Sequence, residues 1–213
     1  MARRATAVAA ARPPRTSRVR ARTRTLLLDA ALRVFARKGA GAAAIHEIAA
    51  EAGVANGTFY NYFRTREELL EAASLRLIER FDHDIMVSAA RVADPAERLA
   101  IGARRFLSQA LRDPTWGAAV LRISVGSPTL HGYTAAGLLA DLRAGRRRGR
   151  LRYDGEAAAI DLVQGAVLAG MRTILEERAG AEHPSAVSAL VLRALGIPAA
   201  EADEIAHRPL PPL

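Results

Sequence analysis

The 213 residues carry 31 Lys and Arg against 22 Asp and Glu, a net charge of +9, with half of them apolar, 5% aromatic and no cysteine. The missing cysteine excludes disulfides, thiolate catalysis and cysteine-based zinc sites. No apolar run approaches the roughly 18 residues of a membrane-crossing helix, so none is expected.

Few aromatics, abundant alanine and no strand-like alternation predict an all-α chain of closely packed helices. The charge is uneven. Residues 1–66 hold thirteen cations against Asp29, Glu47 and Glu51, a net +10, which leaves the other 147 residues at −1. A polyanion binder needs such a segment, because neutralising phosphates releases counterions. An arginine-biased composition would explain Arg in place of Lys, but not the balance of the remainder.

In chain order, residues 1–21 are Ala, Arg and Pro without periodicity and read as a disordered basic arm. Its arginines would follow the DNA backbone or a minor groove, or serve only as a solvated tail. The leader lacks the apolar core of a secretory signal. It is acid-free like a transit peptide, yet a cytoplasmic location is expected. Helices are expected at 22–38, 45–52, 56–62, 66–90, 95–111, 115–125, 128–146, 155–179 and 184–195. Thr65 with Glu68 makes a capping box, and Asp94-Pro95, Asp113-Pro114 and Ser127-Pro128 put a capping side chain before proline. These divide the chain into the arm, a three-helix unit at 22–66, a helical bundle at 67–197 and a tail at 198–213.

Residues 43–69, AAIHEIAAEAGVANGTFYNYFRTREEL, say most about function. Ile45, Ile48, Ala49 and Ala52 face one way, Gly53 supplies the turn, Val54 plugs the angle and Phe59 points inward. A small residue, a turn glycine and an apolar lock at these places fit a helix-turn-helix, which places one helix in the DNA major groove.

The spacing of Ile48-Ala49, Ala52-Gly53-Val54, Gly57-Thr58-Phe59-Tyr60, Tyr62-Phe63 and Arg66-Glu67-x-Leu69 resembles the TetR family of bacterial repressors. Leu26 to Gly39 fits that family's first helix. The match is specific over about residues 22–72 and topological beyond. Ala44 and Ala55 stand where the family has Ser or Thr caps, a loss of roughly 1 kcal/mol each, with Glu47 and Asn56 as possible compensation. Asn56 replaces a frequent Lys, and Arg66 a Lys that touches phosphate. The resemblance implies a homodimeric, ligand-responsive repressor of a palindromic operator. Thr58, Tyr60, Asn61 and Tyr62 are the expected groove and phosphate contacts, with Asn56 and Gly57 at the helix start and His46 and Arg66 flanking.

Further along, Gly165, Ala166, Ala169 and Gly170 give residues 155–179 a close-packing face, and Val187, Leu190, Val191, Ala194 and Leu195 form an i, i+3, i+4 stripe. Together they are expected to supply half of a four-helix dimer interface, an ordinary core being the alternative. In the family, a small molecule enters the second domain. Phe81, Phe106, Trp116, Arg122, His131, Tyr133, Gln164, Met171 and Arg172 are candidate lining, although packing or a surface position also suits each.

Catalytic patterns are lacking. The five histidines are scattered, and neighbours in Asp82-His83-Asp84 point about 100° apart on a helix, so no metal site is expected. Gly145-Arg146-Arg147-Arg148-Gly149-Arg150 reads as a helix end, with Gly149 beyond it, or a surface for DNA or an acidic partner. No cofactor is expected. The competing readings are an architectural DNA-binding protein without effector, which a predominantly apolar cavity would count against, and an enzyme with a basic arm.

Overall fold

The computed structural model describes residues 15–89, 91–124 and 128–212. Among these the chain is all-α, with no strand. Its helices are α1 (Arg15–Lys38), α2 (Ile45–Glu51), α3 (Asn56–Phe59), α4 (Arg66–Ala89), α5 (Pro95–Arg112), α6 (Pro114–Ser124), α7 (Pro128–Arg147), α8 (Glu156–Leu175), α9 (His183–Ala194) and α10 (Ala199–His207).

The first three helices and the start of α4 form a head. Leu27, Ala30, Ala31, Val34 and Phe35 recur at helical spacing on α1 and are buried against Ile48, Phe59, Phe63 and Leu69. The turn between α2 and α3 requires Gly53, at φ +68°. Val54 N–H closes it on the Ala49 carbonyl at 3.0 Å. The missing hydroxyl cap at Ala44 is partly offset, since Glu47 Oε2 accepts the Ala44 N–H at 3.2 Å. Ala55 has no such substitute, and α3 receives no side-chain cap. Thr65 Oγ1 caps the Glu68 N–H at 3.1 Å, as its position predicts.

The remaining helices form a bundle around α5, which touches α4, α6, α7, α8, α9 and α10. Asp94 caps α5 at the Ala96 N–H, 3.0 Å away, and Asp113 accepts the Trp116 N–H at 3.0 Å. α7 ends within the arginine-rich run, and Gly149 follows at φ +65°. Arg150 is not a free cation there. It bridges Asp94 at 2.8 Å and Glu201 at 2.6 Å, tying the start of α5 and the end of α7 to α10.

Several expectations need correction. α1 begins at Arg15, not 22, because arginine propagates a helix nearly as well as alanine even without an apolar period; the rest of the expected arm lies outside the described residues. α3 stops at Phe59, and residues 60–62 continue as turn. The expected tail at 198–213 contains α10, which buries Ala202, Ile205 and Ala206. Its stripe is short and mostly alanine, a weak signal, and ion pairs Arg193–Asp203 and Arg208–Glu97, both at 2.7 Å, help dock it. α8 has the length and mean hydropathy, 1.4, of a membrane-crossing helix, contrary to the sequence expectation. It carries Asp161, Gln164 and Arg172 and packs against α5, α6, α7 and α9.

Candidate functional site

Phe59 is fully buried and fixes α3 to the head, so its neighbours turn outward. His46, Asn56, Gly57, Tyr60 and Asn61 are exposed, and Thr58 and Tyr62 are half-buried. Tyr60 is 55% exposed while its ring packs edge-on against Phe59 at 5.4 Å. Arg20 on α1 reaches this surface. Its guanidinium lies 5.9 Å from the Tyr62 ring centroid and donates to the Asn61 carbonyl at 3.4 Å. Residues 56–62 thus present a polar and aromatic surface joined by an α1 cation that the sequence did not single out for this place.

Arg66 behaves differently from the other expected contacts. Its Nη1 donates to the Gly41 carbonyl at 2.7 Å and the Ala40 carbonyl at 3.1 Å. The guanidinium therefore clamps the α1–α2 loop, a positioning role beside the flanking one expected of it. Glu47 and Glu51 are likewise occupied. Lys38 holds the Glu47 carboxyl below its usual range, and Arg33 and Arg37 do the same for Glu51. The two carboxylates on α2 are thereby matched by α1 cations.

The bundle holds a partly open cavity of about 180 Å³ among α4, α5, α6, α7 and α8. Its walls are mostly apolar, including Ile78, Leu99, Phe106, Val163 and Met171. Four of the expected residues line it: Phe106, His131, Gln164 and Met171. Phe81 and Trp116 are not among the lining. They form an aromatic cluster behind Phe106, with ring centroids 5.0 Å apart and each within 5.9 Å of Phe106. The Trp116 indole N–H is satisfied by the Leu77 carbonyl on α4 at 3.3 Å. Arg122 and Arg172 point to solvent, so neither belongs to the lining. The Tyr133 side chain lies outside the described residues.

Polar lining that the sequence reading missed includes Arg98, Thr134 and Asp141. Arg98 Nε meets Asp141 Oδ1 at 2.6 Å, while its Nη1 donates to the Val92 carbonyl at 2.9 Å. Burial pushes the Asp141 carboxyl above its ordinary value, and Arg98 offsets this only in part. A signal existed: Thr134, Gly137, Leu138 and Asp141 recur at i, i+3, i+4 and i+7 on α7. Polar residues at both ends of an inward stripe mark a polar patch inside a core.

On α8 and α9, Gly165, Ala169, Leu190 and Ala194 are exposed, and Leu190 is 62% accessible. Ala166 and Val187 are half-buried. Val191 is buried in the chain's own core beside Leu192 and Leu195, so it leaves the expected interface set. Leu195 is buried with it, so the outward α9 stripe is two residues narrower than its periodicity indicated.

Residues 27–73 match the model described as bacterial regulatory proteins, tetR family. Residues 94–208 match a tetracyclin repressor-like C-terminal domain. The chain is 37% identical over 92 residues to an uncharacterized HTH-type transcriptional regulator of Mycobacterium tuberculosis, covering 43% of this chain and 46% of that protein. It therefore spans a little under half the length of that relative. The crystal structure of RolR with resorcinol superposes with a TM-score of 0.72 at 31% identity, over 92% of this chain and 98% of that one. FadR from Bacillus subtilis, solved with stearoyl-CoA, shares the fold with a TM-score of 0.67 at 23% identity, over 82% of this chain and 99% of that one.

Proposed function

This chain belongs to the TetR family of bacterial regulatory proteins, and we propose that it is a homodimeric transcriptional repressor released from a palindromic operator by a small molecule. The family is one of regulators, not enzymes. The observation that carries the reading is the pairing of an outward surface at residues 56–62 with a mostly apolar cavity in the second domain. An architectural DNA-binding protein has no use for such a cavity. RolR holding resorcinol and FadR holding stearoyl-CoA support a ligand role here.

In this reading Asn56, Gly57, Thr58, Tyr60, Asn61 and Tyr62 face the groove and its phosphates, with His46 and Arg20 at the margins. Two such heads are needed, because one short helix reads too few base pairs. The exposed α8–α9 face supplies the two-fold contact, with Gly165, Ala169, Leu190 and Ala194 at its centre and Ala166 and Val187 beneath. The protein acts in the cytoplasm, where its operator is. Random-site selection followed by binding across salt concentrations tests this. An enriched inverted repeat is expected, with half-sites roughly 34–36 Å or a longer interval apart. The log–log salt slope should be about −0.9 per phosphate contacted. Absence of an enriched site, or affinity indifferent to salt, would overturn the proposal.

A further inference from the structure

Gly102 lies in the interior of α5, the helix that runs Pro95–Arg112. Glycine weakens a helix interior, so its presence there asks for a reason. Backbone conformation supplies none, since Gly102 is absent from the residues at positive φ. Close packing supplies none either, because a Cβ built on it meets no neighbouring atom within 4 Å. Gly102 lines the cavity, and the space its missing side chain leaves is part of that cavity.

The lining also includes a defined polar edge. Gln164 Nε2 donates to Thr134 Oγ1 at 2.8 Å, and the Thr134 hydroxyl donates onward to the His131 carbonyl at 3.2 Å. The same amide nitrogen lies 3.4 Å from the His131 carbonyl, a pure acceptor, so the nitrogen and not the oxygen faces this edge. Gln164 Oε1 is left buried without a donor. Among the described residues, the ionisable lining apart from His131 is Arg98 and Asp141, and these are paired with each other.

Resting on the reading of this cavity as the effector site, we infer that the effector is a compact, uncharged molecule about one ring in size that donates a hydrogen bond to Gln164, and that Gly102 sets its size limit. The cavity of about 180 Å³ is close to the roughly 150 Å³ apolar space that accommodates benzene. It is smaller than the roughly 300 Å³ at which pockets for drug-sized ligands begin. Among the described residues Arg98 and Asp141 neutralise each other and His131, exposed at the wall, is the one other ionisable group, so a ligand charge would meet no buried partner there, and burying an unpaired charge is strongly unfavourable. An unsatisfied acceptor demands a donor from whatever fills the space.

Four probes test this on the full chain by calorimetry and thermal shift: phenol, anisole, benzoate and decanoate. Phenol should bind and raise the melting temperature. Anisole, which cannot donate, should bind about tenfold more weakly, and benzoate roughly a hundredfold more weakly. Decanoate should not bind. Gly102→Leu should abolish phenol binding without lowering the melting temperature, and Gly102→Ala should weaken it, which keeps the size test open if the larger variant misfolds. Gln164→Leu should equalise phenol and anisole. Benzoate or decanoate binding as tightly as phenol, or phenol binding indifferent to Gly102→Leu, overturns the inference. The same samples are assayed for release of the selected operator. Phenol binding that depends on Gly102 but leaves DNA bound keeps the ligand class and removes the effector reading. Decanoate binding that depends on Gly102 and releases DNA does the reverse.

Discussion

α3 and α5 solve opposite problems. α3 has four residues and buries only Phe59, whereas α5 has eighteen and buries nine. A four-residue helix cannot sustain itself, because nucleation is unfavourable and few bonds follow it. It exists because α1 and α2 hold one aromatic ring, and the rest of its surface is free for recognition. α5 carries packing on nearly every side, and its departures from ideal packing, Gly102 and Arg98, are where the cavity lies. Recognition outside the fold needs one anchor; recognition inside it needs gaps in an otherwise full helix.

That contrast can be broken at its anchor first. Phe59→Ala should destabilise the chain by about 3–5 kcal/mol, read by chemical denaturation, and abolish DNA binding as a consequence. An effect below about 1 kcal/mol would mean α3 is held by something else. Next comes the clamp beside it. Arg66→Ala removes charged hydrogen bonds to the Ala40 and Gly41 carbonyls and should cost roughly 1.5–3 kcal/mol. A purely phosphate-binding arginine would leave the melt unchanged and alter only the salt slope.

The proposed dimer face is tested by Gly165→Leu. A Cβ at Gly165 meets nothing within its own chain, so the protomer should remain folded and helical. Overpacking the contact should weaken association by roughly 1–3 kcal/mol on each side of the two-fold axis. Sedimentation should then show monomer at concentrations where the parent chain is dimeric, and an unaltered dimer would remove this face from the interface.

A smaller effect is expected where α5 begins. Asp94→Ala should cost about 1 kcal/mol at neutral pH as a lost cap. Burial alone would raise the Asp94 carboxyl, but Arg150 and the Ala96 N–H together hold it below its usual value. A carboxyl depressed in the fold stabilises above its unfolded pKa and loses that contribution as pH falls through the folded value. The variant should therefore show a flatter decline in stability below about pH 4. Smallest in stability is Tyr60→Ala, expected to leave the melt within about 0.5 kcal/mol while weakening DNA binding. Normal binding would remove Tyr60 from the recognition surface.

The head was readable in sequence because its constraints are local. Ala49, Gly53 and Phe59 fall within eleven residues and each has a steric reason. The arginine clamp was not readable, since a cation before a new helix looks the same whether it meets phosphate or a carbonyl 25 residues upstream. In the bundle, helix starts announced themselves through Asp94-Pro95 and Asp113-Pro114. The cavity did not, because it is made from gaps contributed by five helices whose mutual rotation no single stripe determines. Trp116 drew attention by size, yet a large ring with a satisfied N–H fills space. Gly102, which leaves space, drew none.

The apolar core that surrounds Phe59 does not stop at the head. It passes through Leu69, Ala73 and Ile78 on α4 to Val120 and Met171, which form cavity wall. Among the described residues no polar layer insulates one end from the other. Under the proposed function this makes the coupling reciprocal. Whatever factor the effector takes from operator affinity, bound operator must take from effector affinity. Chains already on DNA would therefore need a higher effector concentration to fill than chains in free solution, so the threshold for induction would be set in part by the DNA itself.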